Sequence, residues 1–322
     1  MPTRPASRFR PIRRRVEAAG LAAAVGLVAR LPEPAALALG ERAGDIAASL
    51  PTRANRVALA NLGLVFPGLC DLEREALLRD HLRQLGRSAV EWARLPNLAP
   101  EALAERVEIS GIAHLVGAAA RGTGVLVATA HFGFWEITLP ALRLRCPDLQ
   151  VTAVAHAQRN PWVRAQIDAR RRFGDGPEPL RQEANSILRA LAEGAVVGVL
   201  ADHYRSPRRG GRLAPFLGRM AWTNPGPATL ALRAGCPLLL AHTRPLPDGR
   251  HRIEIGPPMT PPASAERPQA IEQLTAALNT SIGRWIRAQP QCWLWSHARF
   301  RGSPDIDVDA YERAVSRRPR RR

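Results

Sequence analysis

The segment Ala128-Thr129-Ala130-His131-Phe132-Gly133-Phe134-Trp135-Glu136 sets a histidine and a carboxylate behind a short apolar run. An imidazole there is suited to take the proton of an attacking hydroxyl. A carboxylate on its other ring nitrogen would fix the tautomer and stabilise the imidazolium that forms. His131 and Glu136 are five positions apart and would stand about 140° apart around an ideal helix, so they meet only if the chain turns between them. Gly133 permits such a turn. The pair suits general-base activation of a hydroxyl, and no serine nucleophile is needed.

The elements that must hold this pair follow from the hydrophobic pattern. Val125, Leu126, Val127 and Ala128 form a continuous apolar run after Gly124, as a buried parallel strand does, and His131 follows it at the end where open α/β sheets place their chemistry. Similar runs recur at Val151 to Ala155, Ala195 to Ala201 and Leu238 to Thr243, with helical segments at Gln182 to Ala192 and Pro227 to Ala234 between them. His251 to Gly256 adds an antiparallel edge strand, and the helix Ala270 to Ala288 closes the domain. Before all of these, Arg53 to Leu95 reads as an amphipathic helical cap. The pattern predicts an α/β fold with a mixed, largely parallel sheet flanked by helices.

Composition narrows the chemistry further. The 322 residues allow one large domain or two ordinary ones, and 46 basic residues against 28 acidic give a net charge of +18. Every basic residue is arginine. A GC-rich coding bias explains that, and guanidinium groups also bind phosphate bidentately. Without lysine the chain has no Schiff-base former and no P-loop lysine, which excludes pyridoxal enzymes and Walker NTPases. Cys70, Cys146, Cys236 and Cys292 are widely spaced and form no sequential ligand motif, so no metal site is expected.

Three parts are expected: residues 1–31, a basic tail and membrane-associated helix; residues 32–304, the α/β domain with its cap; and residues 305–322, a basic C-terminal tail. The apolar stretch Ala18 to Ala29 is about a dozen residues, well short of the roughly 20 that a bilayer span requires. Behind the cluster Arg4, Arg8, Arg10, Arg13, Arg14 and Arg15 it suits a helix lying on an anionic membrane surface.

HFGFWE resembles the H-x4-D/E box of glycerolipid-type acyltransferases, and its flanks resemble the bacterial lipid A biosynthesis (lauroyl/myristoyl) acyltransferase family. The likeness runs through Arg56 to Pro67 (RVALANLGLVFP), Asn160-Pro161, Ala201-Asp202, Leu213 to Gly218 (LAPFLG), Gly226-Pro227-Ala228 and Gly235-Cys236-Pro237. It ends in Pro290 to Arg301 (PQCWLWSHARFR), so it covers nearly the whole chain. The resemblance implies transfer of an acyl chain from acyl carrier protein, or acyl-coenzyme A, to a hydroxyl of a membrane glycolipid at the cytoplasmic face of the inner membrane. No cofactor beyond that co-substrate is expected. It makes His131 the general base and Glu136 its orienting partner, and it marks Asp202 as the family's aspartate, with His203 replacing the glutamine that usually follows. For the oxyanion it points to an arginine; the family position is His156 here, so Arg159 and Arg212 stand in as candidates. Phe132, Phe134 and Trp135 are expected beside the acyl channel. The tail arginines and the loop arginines Arg205, Arg208, Arg209 and Arg212 suit an acidic carrier or an anionic headgroup.

Other readings compete. A phosphatidylinositol-mannoside type shares the His box and the Gly-Pro-Ala step, and other glycolipid or lysophospholipid acceptors remain open. The glycerol-phosphate type usually carries an E-G-T-R block, which does not occur here. A nucleic-acid-binding protein is suggested by charge alone and lacks an RRM-type box or a zinc pattern. A non-catalytic membrane protein on the same fold would have no use for the His131/Glu136 pair.

Overall fold

In a computed structural model, residues 10–155, 160–172, 177–260 and 266–316 are described. The chain opens on helices α1 (Arg10–Arg30), α2 (Glu33–Ser49), α3 (Arg53–Val65) and α4 (Asp71–Arg94). α5 (Pro100–Arg106) leads into β1 (Val107–Ser110), and α6 (Ile112–Ala119) into β2 (Val125–Thr129). There follow α7 (Thr138–Arg145), β3 (Val151–Ala155), α8 (Pro161–Arg172), β4 (Leu180–Arg181), α9 (Ala184–Ala192) and β5 (Val196–Leu200). β6 (Arg212–Phe216) and β7 (Arg219–Thr223) form a separate hairpin. α10 (Gly226–Ala234), β8 (Leu238–Pro245), β9 (His251–Ile255), α11 (Arg267–Ala288) and α12 (Val308–Val315) complete the chain.

The main sheet has the order β1-β9-β8-β2-β5-β3-β4. The strands β8, β2, β5, β3 and β4 are mutually parallel, and β9 runs antiparallel to β8. The expected edge strand at His251 to Gly256 is therefore antiparallel but not at the edge, because the short β1 pairs parallel along its outer side. β1 carries too few apolar residues in a row to stand out in the sequence.

Period-2 alternation gives each central strand two apolar faces. Leu126, Ala128, Val197, Val199, Leu238 and Leu240 point to the side of α9, α10 and α11. Val125, Val127, Val196 and Leu239 point the other way, toward Leu115 of α6 and Leu142 of α7.

The N-terminal helices pack onto this body. Gln166 of α8 donates to the Ala18 carbonyl at 3.0 Å, Asn160 donates to the Arg14 carbonyl at 2.8 Å, and the Arg15 guanidinium stands 5.5 Å from the Trp162 ring centre. Among the described residues, no helix is long and apolar enough to cross a membrane. Within the stretch 305–322 read as a tail, residues 308–315 form α12, which caps itself through Asp307 and buries Tyr311 and Val315 against α3.

The RVALANLGLVFP segment has a structural reason in Asn61 of α3. Its amide donates to the carbonyls of Trp295 and His297 at 2.7 Å each and accepts the Tyr311 hydroxyl at 2.7 Å. It thereby fixes the C-terminal box from inside the core. Asn61→Ala strands these buried partners, and each orphaned group costs roughly 1–3 kcal/mol. Unfolding by denaturant is expected to place the variant about 3 kcal/mol below the wild type.

Buried histidines set the acid limit of the fold. Burial holds His81 of α4 at about 4, although its Nδ1 donates to the Gln291 carbonyl at 3.1 Å. Burial lowers His242 in the same direction, against the pull of Glu254. In the unfolded chain both titrate near 6.5, so the unfolded state binds protons first. Stability is complete above about pH 6.5 and falls as the pH drops toward 4, by up to roughly 3 kcal/mol for His81. Thermal melts across that window are expected to show the loss, and melts unchanged between pH 7 and 4.5 would contradict it.

Candidate active site

β2 and β5 are adjacent and in register, with Thr129 opposite Leu200, and the Ala201 amide donates to the Thr129 carbonyl at 2.7 Å. Two residues beyond those ends, His131 and Asp202 come together. The Nδ1 of His131 lies 3.0 Å from one carboxylate oxygen of Asp202. The other oxygen accepts the His131 backbone amide at 3.0 Å and the indole N–H of Trp293 at 2.9 Å.

Asp202 is fully buried. Burial raises its pKa, but His131, His203 and the Trp293 donor outweigh it, and the carboxyl stays well below the usual carboxylate range. It is an ionised acceptor that makes Nδ1 the protonated nitrogen of His131. Nε2 is then the nitrogen that can receive a proton from a substrate hydroxyl.

The backbone around the histidine is clamped by the C-terminal box. Gly133 donates to the Cys292 carbonyl at 2.9 Å, Leu294 donates to the His131 carbonyl at 3.0 Å, and Phe132 bridges to Trp293. Gly133 sits at φ +59°, and a Cβ there would stand 2.0 Å from the Thr243 carbonyl. That position admits only glycine.

Past Gly133 the chain enters a 3-10 turn, Trp135–Ile137, that sends Glu136 elsewhere. Its carboxylate accepts both Nε and Nη2 of Arg171 on α8, at 2.9 and 2.5 Å. The expected contact between His131 and Glu136 is thus corrected: the carboxylate on the imidazole is Asp202, and Glu136 belongs to an ion pair with Arg171. Sequence spacing revealed that a turn was possible but not which way it leads.

Other candidates sort as follows. Trp135 packs edge-on against His131, with ring centres 5.1 Å apart. Phe132 is in the core against Trp285, and Phe134 packs on His251. Arg212 is exposed on β6 and faces Glu272 at 3.7 Å. His156 and Arg159 lie outside the described residues.

Three residues gain importance from the structure. Trp293 buttresses Asp202, and Arg171 holds Glu136. His297 packs with its ring centre 4.8 Å from that of His131. Burial and the neighbouring His131 hold His297 down at about 4, so it is neutral at pH 7. Arg299 of the same box is structural: fully buried, it donates to the Trp222 carbonyl and Thr223 hydroxyl and lies over the Phe216 ring.

An apolar pocket opens between the sheet and α7. It is walled by Val127, Thr129, Leu139, Leu142, Gly198 and Leu200. Trp135, Glu136 and Arg171 also line it, and the same three line a second cavity against α4, beside Leu85, Trp92 and Ile167. Both openings are thus adjacent to the segment that carries His131.

This arrangement, a histidine and a buried aspartate at the carboxyl ends of neighbouring parallel strands beside an apolar pocket, is matched by similarity along the chain. A profile of the family described as bacterial lipid A biosynthesis acyltransferase matches residues 7–302. The lipid A biosynthesis lauroyltransferase of Escherichia coli (strain K12) is 25% identical over 281 residues, covering 87% of this chain and 89% of that protein. The lipid A biosynthesis palmitoleoyltransferase of the same strain is 27% identical over 286 residues, 88% of this chain and 90% of its own. The myristoyltransferase is 23% identical over 301 residues, 91% of this chain and 89% of its own. With the match running from the N-terminal helix through the C-terminal box that clamps His131, the chain belongs to the bacterial lipid A biosynthesis acyltransferase family and is an acyltransferase.

Proposed function

We propose that this acyltransferase moves a fatty acyl chain from acyl carrier protein, or from acyl-coenzyme A, to a hydroxyl of a lipid A precursor at the cytoplasmic face of the inner membrane. The observation that carries the reading is the His131–Asp202 pair, which leaves the imidazole Nε2 on the side away from the carboxylate, in the segment that borders an apolar pocket.

In the step as drawn, His131 Nε2 accepts the proton of the acceptor hydroxyl as its oxygen attacks the thioester carbonyl. The ionised Asp202 stabilises the imidazolium through Nδ1. The tetrahedral intermediate collapses by breaking the carbon–sulfur bond, and the imidazolium returns its proton to the departing thiolate. Donor and acceptor are the only reactants in this scheme.

The pocket between the sheet and α7 takes the acyl chain, with Trp135 at the boundary between chain and reacting carbonyl. Its apolar lining suits an alkyl ligand. The names of the relatives differ in the acyl group they transfer, which agrees with a pocket whose depth sets the chain. Glu136 acts indirectly, by holding Arg171 and with it the wall shared by the two cavities.

The surface of the N-terminal helices supports membrane association. Val16, Leu27, Leu39 and Ile46 are exposed apolar side chains on α1 and α2, and Arg14, Arg15 and Arg30 lie on α1 among them. Such a mixture favours a helix resting on anionic headgroups. Sedimentation with vesicles of anionic and of neutral lipid tests this, with binding expected to be stronger to the anionic ones.

A transfer assay with labelled acyl carrier protein and acyl-coenzyme A in parallel, and a lipid A precursor or a mannosylated phospholipid as acceptor, tests the function. Transfer to the lipid A precursor supports the reading, and transfer to the mannosylated lipid alone would replace it.

A further inference from the structure

The general-base scheme leaves one group beside His131 without a role. His203 follows Asp202 directly, and its ring packs edge-on to that of His131 with centres 5.0 Å apart. One ring nitrogen of His131, one carboxylate oxygen of Asp202 and one ring nitrogen of His203 all lie within 4.8 Å of one another. His297 completes the group, with its ring centre 4.8 Å from His131 and 5.5 Å from His203, and its Nε2 is buried without a hydrogen-bond partner. Three of the chain's eight histidines and a buried aspartate thus converge on one point from three separate parts of the sequence.

Imidazole nitrogens with a single carboxylate form the donor set of late first-row divalent cations. Magnesium and calcium prefer oxygen throughout. Zinc takes such ligands at about 2.0–2.2 Å, so its ligand atoms stand roughly 3.3 Å apart, and the three present atoms, within 4.8 Å of one another, would close to that spacing on binding.

We propose that His131, Asp202 and His203 form a reversible inhibitory site for Zn²⁺ or a similar late first-row divalent cation. Binding forms metal–nitrogen and metal–oxygen bonds at these three residues; a proton displaced from Nδ1 of His131 moves to its Nε2, so no net proton is released and no oxidation state changes. The metal holds the groups that the hydroxyl proton needs, so transfer stops; this inhibitory part rests on the general-base reading of His131. The sequence expectation of no metal site came from the lack of a sequential ligand motif, and here the ligands are assembled by strand register instead.

The test uses the full chain in detergent, stripped with a chelator, and Co²⁺ as a spectroscopic probe. One equivalent is expected to give visible absorption bands of a low-coordinate nitrogen-ligated site, abolished by one equivalent of Zn²⁺. His203→Gln is expected to weaken Co²⁺ binding at least about 10-fold, and His131→Ala, which removes a different ligand, is expected to do so as well. Zn²⁺ is expected to inhibit wild-type transfer reversibly, and His203→Gln is expected to need at least about 10-fold more Zn²⁺ for the same inhibition. Absence of a 1:1 band in the wild type, or wild-type Co²⁺ affinity in both variants, overturns the proposal. A clear Co²⁺ band in a chain that transfers no acyl group leaves the metal site standing and removes the functional reading.

Discussion

Asp202→Asn is expected to lower kcat by roughly 10²–10⁴-fold in protein that remains folded. The reason is the donor arrangement around the carboxylate. One oxygen faces Nδ1 of His131, and the other faces two N–H donors, the His131 amide and the Trp293 indole. An asparagine carbonyl satisfies only one of these sides. With its NH2 group toward Trp293, donor meets donor. With the NH2 toward His131, the imidazole is forced into the tautomer that carries its proton on Nε2, where it cannot accept one. Either orientation removes the charge that stabilises the imidazolium. Glu136→Gln is expected to cost far less in kcat and to act on KM, because it weakens the Arg171 pair at the pocket wall and leaves the imidazole untouched. Steady-state kinetics of the two variants against one acyl donor separates the roles, and a larger kcat loss for Glu136→Gln would restore the pairing first expected from the HFGFWE segment.

Gly198→Val is expected to move the donor preference toward shorter acyl chains. Gly198 lies on β5 between Val196 and Leu200, all three on the wall of the apolar pocket. A Cβ there would meet Ala153 Cβ and the Thr152 carbonyl at 3.6 Å, an ordinary contact, so the backbone tolerates a side chain. The added methyls take space from the ligand instead. Each methylene a pocket can no longer hold is worth roughly 10–200-fold in kcat/KM, so the ratio of short-chain to long-chain donors should rise by at least about 10-fold. Competition between acyl carrier proteins loaded with chains of different length reads this directly. An unchanged profile would place the chain elsewhere, with the second cavity beside Trp92 as the next candidate.

The central sheet was legible because its strands are buried on both faces and read as unbroken apolar runs. β3 and β5 fall within such runs, and β2 and β8 begin in them and extend one and two residues beyond. β1 and β4 are short and peripheral, so their residues carry no such signal, and without β1 the strand β9 looked like an edge. The position of His131 was legible for the same local reason: it follows a buried strand. Its partner was not. Glu136 is near in sequence, yet a 3-10 turn takes it to Arg171, while Asp202 is 71 residues away and arrives through the parallel register of β2 and β5. The available signal was Ala201-Asp202, an acid immediately after a second apolar run, and its meaning depended on which strands are neighbours. The C-terminal box hid its role similarly, since Trp293 and His297 reach the site through long-range contacts, among them Asn61, the bridge at Phe132 and the Leu294–His131 hydrogen bond.

The most direct test is the rate of acyl transfer from acyl carrier protein to a lipid A precursor by wild-type protein and by His131→Ala, both shown to be folded by thermal melts. Wild-type transfer with a loss of roughly 10³-fold or more in the variant is the expected result. Transfer by His131→Ala at the wild-type rate would contradict His131 as the general base.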